Sequence, residues 1–273
     1  MTSNTTRPQE LRRQTARDIA RDLRRLGVRE GDVLMVHSSL SSMGHVPGGP
    51  ETVVHGLLEA LGNSGTLLMP ALSYEHVTSK HPVFDVRRTP SNVGVIPEHF
   101  RNRAGTRRSL HPTHSVCGVG VLANNLLRDH ELDRTPCGPH SPFHRLRTYE
   151  GKILMLGCGL RPNTSMHAIE EMCEPPYLFG GSLTYHLIDW NGHSQERTYL
   201  KHGFRGYKQR YDRVADHLMA PDLVRGPVLK ATASLIDAPA LWNTALAAYG
   251  DNPLTFVDEI GRASCRERVC VGV

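Results

Sequence analysis

The sequence predicts an α/β protein: a mixed central sheet flanked by helices, with an antiparallel hairpin late in the chain. Three observations lead there. Residues 33–70 run buried strand, loop, helix, buried strand, which is an α/β crossover unit. Two further apolar runs, Val116 to Val121 and Lys152 to Gly157, are each followed by a helical stretch. Leu183 to Trp190 and His193 to Leu200 alternate apolar and polar residues about Asn191-Gly192, a pair that favours a type I′ turn.

The elements follow in order. Gln9 to Leu26 reads as an amphipathic surface helix, with Leu11, Ile19, Leu23 and Leu26 near one face and arginines on the others. Val33-Leu34-Met35-Val36-His37 is apolar at successive positions, as in a strand buried on both faces. Pro50 suits the first turn of a helix, whose buried stripe is Val53, Val54, Leu57, Leu58 and Leu61. Gly65 to Pro70 is a second buried strand, and Ser73 to Thr89, rich in His, Pro and Asp, reads as a long surface loop. Phe204 to Met219 and Pro239 to Tyr249 are predicted helical.

With 273 residues, 39% hydrophobic and 22% charged, the chain suits one large domain over residues 1–259, or two lobes around a cleft. No apolar run approaches the ~20 residues of a membrane helix, and Met1 to Glu10 lacks the apolar core of a signal peptide. The expectation is a soluble cytoplasmic protein with no membrane partner. The net charge of +5 invites a nucleic-acid reading, but its distribution argues otherwise. Seven Arg lie in residues 1–25 and three in residues 260–273, and the body between them is near neutral. Nucleic-acid binding also asks for a basic stripe with stacking aromatics, and aromatics are only 6%. Residues 260–273 show no periodicity and read as the translation of a vector or adapter junction, so they carry no weight in the fold. The six cysteines, Cys117, Cys137, Cys158, Cys173, Cys265 and Cys270, form no CxxC pair, which disfavours a zinc ribbon or a thioredoxin-like motif.

Three segments carry chemistry. His37-Ser38-Ser39-Leu40-Ser41-Ser42-Met43-Gly44 places four hydroxyls and a glycine just past a buried strand, where an anion could sit. A serine-rich turn capping its own backbone is the simpler local reading. Gly118 to Ala123 fits GxGxxA, but the acids that follow, Asp129, Glu131 and Asp133, come too early for a dinucleotide site. Asn163 to Met172 follows the Lys152 to Gly157 strand, with Thr164 or Ser165 able to cap a helix. His167 and Glu170, three apart, share one face of that helix. A carboxylate beside an imidazole fixes its tautomer and raises its basicity, as a general base requires. A His satisfied by a neighbouring Glu for structural reasons is the alternative. No third ligand at matching spacing is evident, so no metal is expected. Glu170, Glu171 and Glu174 form an acidic run that reads as a solvated face or as the wall of a pocket for a cation.

Taken in order, these segments resemble the antibiotic N-acetyltransferase family, the aminoglycoside 3-N-acetyltransferases. The resemblance runs through His37 to Leu40, Gly48-Gly49, Gly65 to Pro70, Phe84-Asp85, Thr89 to Ser91 and Gly94. It continues through Arg108 to Pro112, Ser141-Pro142, Leu154 to Gly157, Asn163 to Glu170 and Asn252 to Leu254, covering nearly all of residues 15–259. It implies acetyl-coenzyme A as cosubstrate, no metal, and an aminoglycoside acceptor bound by a monomer or homodimer. Cofactor contacts would come from His37, Ser38, Ser39, Leu40, Ser41, Ser42 and Gly44, with Ser109, His111, Pro112 and Ser115 along the same channel. His167 would be the base, Glu170 its orienter, and Thr164 an oxyanion donor. Tyr74, Phe84, Asp85, Glu170 and Glu174 would form the antibiotic wall. Another small-molecule amine as acceptor and a Cys158 or Cys173 nucleophile are the alternatives, although direct attack of an amine on a thioester needs no covalent step.

Overall fold

The computed structural model describes residues 6–260; the tail reading for residues 260–273 lies, but for Ile260, outside the described residues. Helix α1 (Thr6–Leu26) leads into strand β1 (Val33–Ser38), helix α2 (Pro50–Leu61) and strand β2 (Thr66–Pro70). Then follow β3 (Val83–Asp85), α3 (Val95–Asn102), β4 (Arg107–Arg108), β5 (Val116–Gly120), α4 (Ala123–Leu127), α5 (Pro142–Arg145) and β6 (Lys152–Leu156). The last third holds α6 (Ser165–Cys173), the hairpin β7 (Phe179–Ile188) and β8 (Ser194–His202), β9 (Tyr207–Gln209), β10 (Leu223–Val228), β11 (Ala231–Asp237), α7 (Ala238–Asp251) and β12 (Val257–Glu259).

Seven strands form the central sheet in the order β10-β11-β6-β1-β2-β5-β4. Strands β6, β1 and β2 are mutually parallel, and antiparallel strands extend the sheet on both sides, so the expected mixed sheet is present. Alternation across the sheet explains why β1 is apolar at every position. Leu34 and Val36 join a core with α1, α2 and α3, while Val33 and Met35 join another with α6 and α7. A smaller sheet, β3-β7-β8, carries its own apolar cluster around Phe84, Tyr185 and Tyr199.

Four local expectations are corrected. Leu11 is exposed, while Ile19, Leu23 and Leu26 are buried as expected, joined by Ala16 and Ala20. The Ser73 to Thr89 segment is not wholly irregular, because β3 pairs in parallel with β7. The β7–β8 turn is not type I′: Asp189 pairs with His193, Asn191 keeps a negative φ, and only Gly192 is left-handed at φ 87°. That is a three-residue loop closed by a glycine bulge. Phe204 to Met219 does not form one helix, because Gly206 turns the chain at φ 77° and Tyr207–Gln209 pairs with β12. Only Tyr211–Asp216 winds, as a 3-10 turn. The glycines of the GxGxxA pattern serve strand packing: a Cβ on Gly118 would lie 2.6 Å from Leu68 Cδ2. Among the described residues no helix is long and apolar enough to cross a membrane.

Helices α1 and α2 touch at Gly56, where a Cβ would stand 2.6 Å from Ile19 Cγ2 and 2.9 Å from the Ala16 carbonyl. Gly56→Ala gains ~1 kcal/mol of helix propensity but meets an overpacking cost of ~1–3 kcal/mol against backbone that cannot yield. A net loss of about 1 kcal/mol, and a Tm lower by a few degrees, is expected in thermal melts. A raised Tm would contradict this packing.

Candidate active site

The parallel strands end together. β1 is joined through α2 to β2 on one side, while β6 lies on its other side, so the chain direction diverges at the C-terminal end of β1. Open α/β sheets bind ligands at such a point. Here it opens into a cavity of about 770 Å³, with His37 and Ser38 from β1, Pro70 from β2, and Cys158, Asn163 and Thr164 following β6. The opposite wall is the β7–β8 hairpin, through Tyr185, Tyr199 and His202. A second cavity, of about 580 Å³, shares Ser38 and is lined by Ser39, Leu40, Ser41 and Gly44. Where the two meet, His37 Nε2 and Ser38 Oγ are buried and have no hydrogen-bond partner among the described residues, as is Asn163 Nδ2 nearby. Buried polar groups are normally satisfied, and unspent ones in a cleft mark a place built for a ligand.

His167 lies in the first turn of α6 and lines the first cavity. The helix is not capped by Thr164 or Ser165 as expected; the Asn163 Oδ1 accepts from the Ser165 N–H at 3.2 Å. The His167 Nδ1 lies 3.2 Å from Glu170 Oε2 and 2.7 Å from the Tyr211 hydroxyl. Tyr211 donates to Glu170 Oε2 in a short hydrogen bond, and Tyr177 donates to Oε1 at 3.1 Å. Glu170 is fully buried, and burial together with this carboxylate pushes both phenols up, so they remain O–H donors. With its proton given to Glu170, Tyr211 can only accept from His167. Nδ1 therefore carries the imidazole proton, and Nε2 keeps its lone pair. Tyr211 has no local signature in the sequence, and its position is set by contacts with β12. Asp258, on β12, pairs with Arg210 at 2.7 Å and with Arg213, flanking Tyr211 on both sides.

A family model for aminoglycoside 3-N-acetyltransferases matches residues 35–249. The chain belongs to that family. It is 35% identical over 175 residues to aminoglycoside N(3)-acetyltransferase VII of Streptomyces paromomycinus, covering 58% of this chain and 60% of that protein, less than two thirds of the relative's length. Among solved structures it is similar to AAC(3)-IVa, determined as a histidine-to-alanine mutant in complex with a gentamicin. That likeness has a TM-score of 0.76 and 31% identity, over 88% of this chain and 89% of the other. It is also similar to AAC-IIIb in its binary complex with CoASH, with a TM-score of 0.73 and 28% identity, over 85% and 95% of the two chains.

Within this member of the aminoglycoside 3-N-acetyltransferase family, the residues expected in the site divide into two groups. His37, Ser38, Ser39, Leu40, Ser41, Gly44, Tyr74, His111, Thr164 and His167 line one or both cavities, and Glu170 stands directly behind His167. The others line neither. Ser42 donates to the Ser39 carbonyl at 2.7 Å, closing its own turn. Ser109 is buried against His130 Nδ1 at 2.9 Å, Pro112 is buried, and Ser115 binds Arg108 Nε at 2.8 Å. Phe84 is a core ring beneath the Arg108 guanidinium, and Asp85 caps the Arg87 and Arg88 amides. Glu174 ends α6 in a left-handed conformation and is exposed. Neither Glu170 nor Glu174 of the acidic run lines either cavity. Among the described residues no carboxylate lines the larger cavity, which instead holds five imidazoles with Arg161 and Lys201.

Glu171 faces the other way from solvent as well. Its Oε1 accepts from the Cys137 N–H at 2.8 Å and pairs with His202 Nε2 at 2.7 Å. Burial disfavours the charged form of both partners, pushing the Glu171 carboxyl up to about 7 and His202 well below its ordinary value. A raised acid pKa means the folded state holds the extra proton. Its contribution to stability is therefore complete below pH 4.5 and is lost as pH rises through about 7. Thermal melts across that window should show Glu171→Gln with a flatter pH dependence than the parent chain. Parallel curves would contradict the assignment.

Proposed function

We propose that the chain acetylates the 3-amino group of 2-deoxystreptamine aminoglycosides from acetyl-coenzyme A, with His167 as general base. The observation that carries this reading is the His167–Tyr211–Glu170 relay, which leaves one lone pair on the wall of a cleft in a chain of this family. Acetyl-coenzyme A supplies an activated acyl group. The serine loop, with Ser38, Ser39 and Ser41 on the smaller cavity, would hold its phosphate and pantetheine portion, and the unpartnered His37 and Ser38 atoms suit that fit. An ammonium has no lone pair, so the acceptor must lose a proton to react, and His167 Nε2 takes it. Thr164 Oγ1 and Asn163 Nδ2, both on the cavity lining at the start of α6, would donate to the developing oxyanion.

A covalent route through cysteine has no support in the geometry. Cys158 lines the cavity, but burial pushes its thiol up to about 11, and Cys173 is exposed with its thiol also raised. Thiolates of low pKa are the reactive ones.

A second acceptor class has a specific observation behind it. Aminoglycosides carry several ammonium groups, and the described lining of the larger cavity presents no carboxylate to them. An amine with fewer positive charges would fit that lining with less repulsion from Arg161 and Lys201.

Thiol release should be followed with a panel of aminoglycosides and of monoamines. His167→Ala is expected to lose at least ~100-fold in turnover, the low end for general-base catalysis, while Cys158→Ser stays within a few-fold of the parent. Near-normal turnover in His167→Ala would overturn the mechanism. Release with monoamines alone would move the acceptor to the second class.

A further inference from the structure

Three imidazoles from distant parts of the chain converge in the larger cavity. His114 lies between β4 and β5, His167 on α6, and His202 at the end of β8. One ring nitrogen from each lies within 4.8 Å of the others. The ring centroids are 4.7 Å apart for His167 and His202, 5.3 Å for His114 and His202, and 6.1 Å for His114 and His167. A tetrahedral set with zinc–nitrogen bonds of about 2.0–2.1 Å places its rings roughly 5 Å apart and its nitrogens about 3.4 Å apart. The observed ring separations bracket that spacing, and the nitrogens, within 4.8 Å of one another, would draw together on binding.

The outer partners point the same way. Nδ1 of His167 is held by Glu170 and Tyr211, Nε2 of His202 by Glu171, and Nδ1 of His114 by Thr113 Oγ1 at 2.9 Å. Each ring is therefore anchored through one nitrogen and offers the other, the pattern that orients ligating imidazoles in metal sites. Two of the three anchors are carboxylates. The spacing of 114, 167 and 202 in the chain gives no ligand motif, which is why the sequence suggested no metal set.

We propose that His114, His167 and His202 form a binding site for a divalent transition cation, with Zn2+ as its first ligand, and that occupancy switches off acetyl transfer. Three imidazoles with no carboxylate or carbonyl oxygen in the set select zinc, copper or nickel over magnesium and calcium. The fourth position opens to the cavity and takes water. The bound cation consumes the His167 lone pair and sets a positive charge where the acceptor amine must approach. Binding stands independently of the acetyl-transfer reading; only the switch rests on it.

Titration calorimetry with Zn2+ on the chelator-treated full chain, with Co2+ absorption as the spectroscopic counterpart, tests the site. One ion per chain and intense tetrahedral Co2+ bands are expected. His114→Ala and His202→Ala should each lose at least ~10-fold in affinity, and Glu171→Gln, which keeps all three ligands, about 10–100-fold. His193→Ala, on the exposed hairpin turn, should bind as the parent does. Equal affinity in all four variants would show adventitious surface histidines only and would overturn the site. In the thiol-release assay, Zn2+ should inhibit in proportion to occupancy, with full recovery on adding chelator. Stoichiometric binding with undiminished turnover would overturn the switch while leaving the site, and a chain inactive toward every amine would still be tested by the Co2+ bands.

Discussion

A carboxylate without solvent is the constraint on which the active cleft depends. Glu170 is fully buried, and leaving such a group unpaired costs several kcal/mol. Its partners come from three places: His167 on its own helix, Tyr177 in the turn before β7, and Tyr211 in the 3-10 turn after β9. Satisfying one charge therefore draws together segments separated by more than forty residues. The Tyr177 hydroxyl also lies 3.3 Å from the Pro253 carbonyl, so the approach to β12 packs against the same point. Strand β12 then fixes Tyr211 through Asp258 and its two arginines. In the proposed transfer, an imidazole whose tautomer is set this way would need no reorganisation when the proton moves.

The sheet supplies the rest. Because β1 lies between β2 and β6, both parallel to it, the loops leaving its C-terminal end and that of β6 diverge and leave a crevice. The serine loop occupies one side of that crevice and α6 the other. A small second sheet closes over it, stacked on the first through Arg108. This guanidinium is buried, reaches the Thr89 and Ala71 carbonyls and two serine hydroxyls, and lies 4.7 Å above the Phe84 ring. Ser115 and Phe84, which the resemblance placed in ligand contact, are used up in that junction.

What the sequence made legible follows from what is local. Runs such as Val33 to His37 and Leu67 to Pro70 are apolar on both faces only in a covered parallel sheet, so the central strands could be placed closely. His167 and Glu170 are three apart, and helical geometry alone brings them together. The hairpin that carries His202 was legible in its alternation, but Tyr211 reaches the site through pairing of β9 with β12 and His114 through the turn between β4 and β5, for which no window of the sequence holds a signal. The acidic run was unreadable for a related reason. Glu170 points inward, Glu171 lies under His202, and Glu174 turns out at a left-handed helix end, and composition cannot distinguish these three directions.

The central claim is that Glu170 and Tyr211 hold the His167 proton on Nδ1 and leave Nε2 free toward the cleft. Nitrogen-15 NMR of the imidazole, assigned by comparison with His167→Ala, reads this directly in the neutral ring. The account expects a protonated Nδ1 and an unprotonated Nε2, with the preference weakened in Tyr211→Phe. A neutral ring protonated on Nε2 would contradict it.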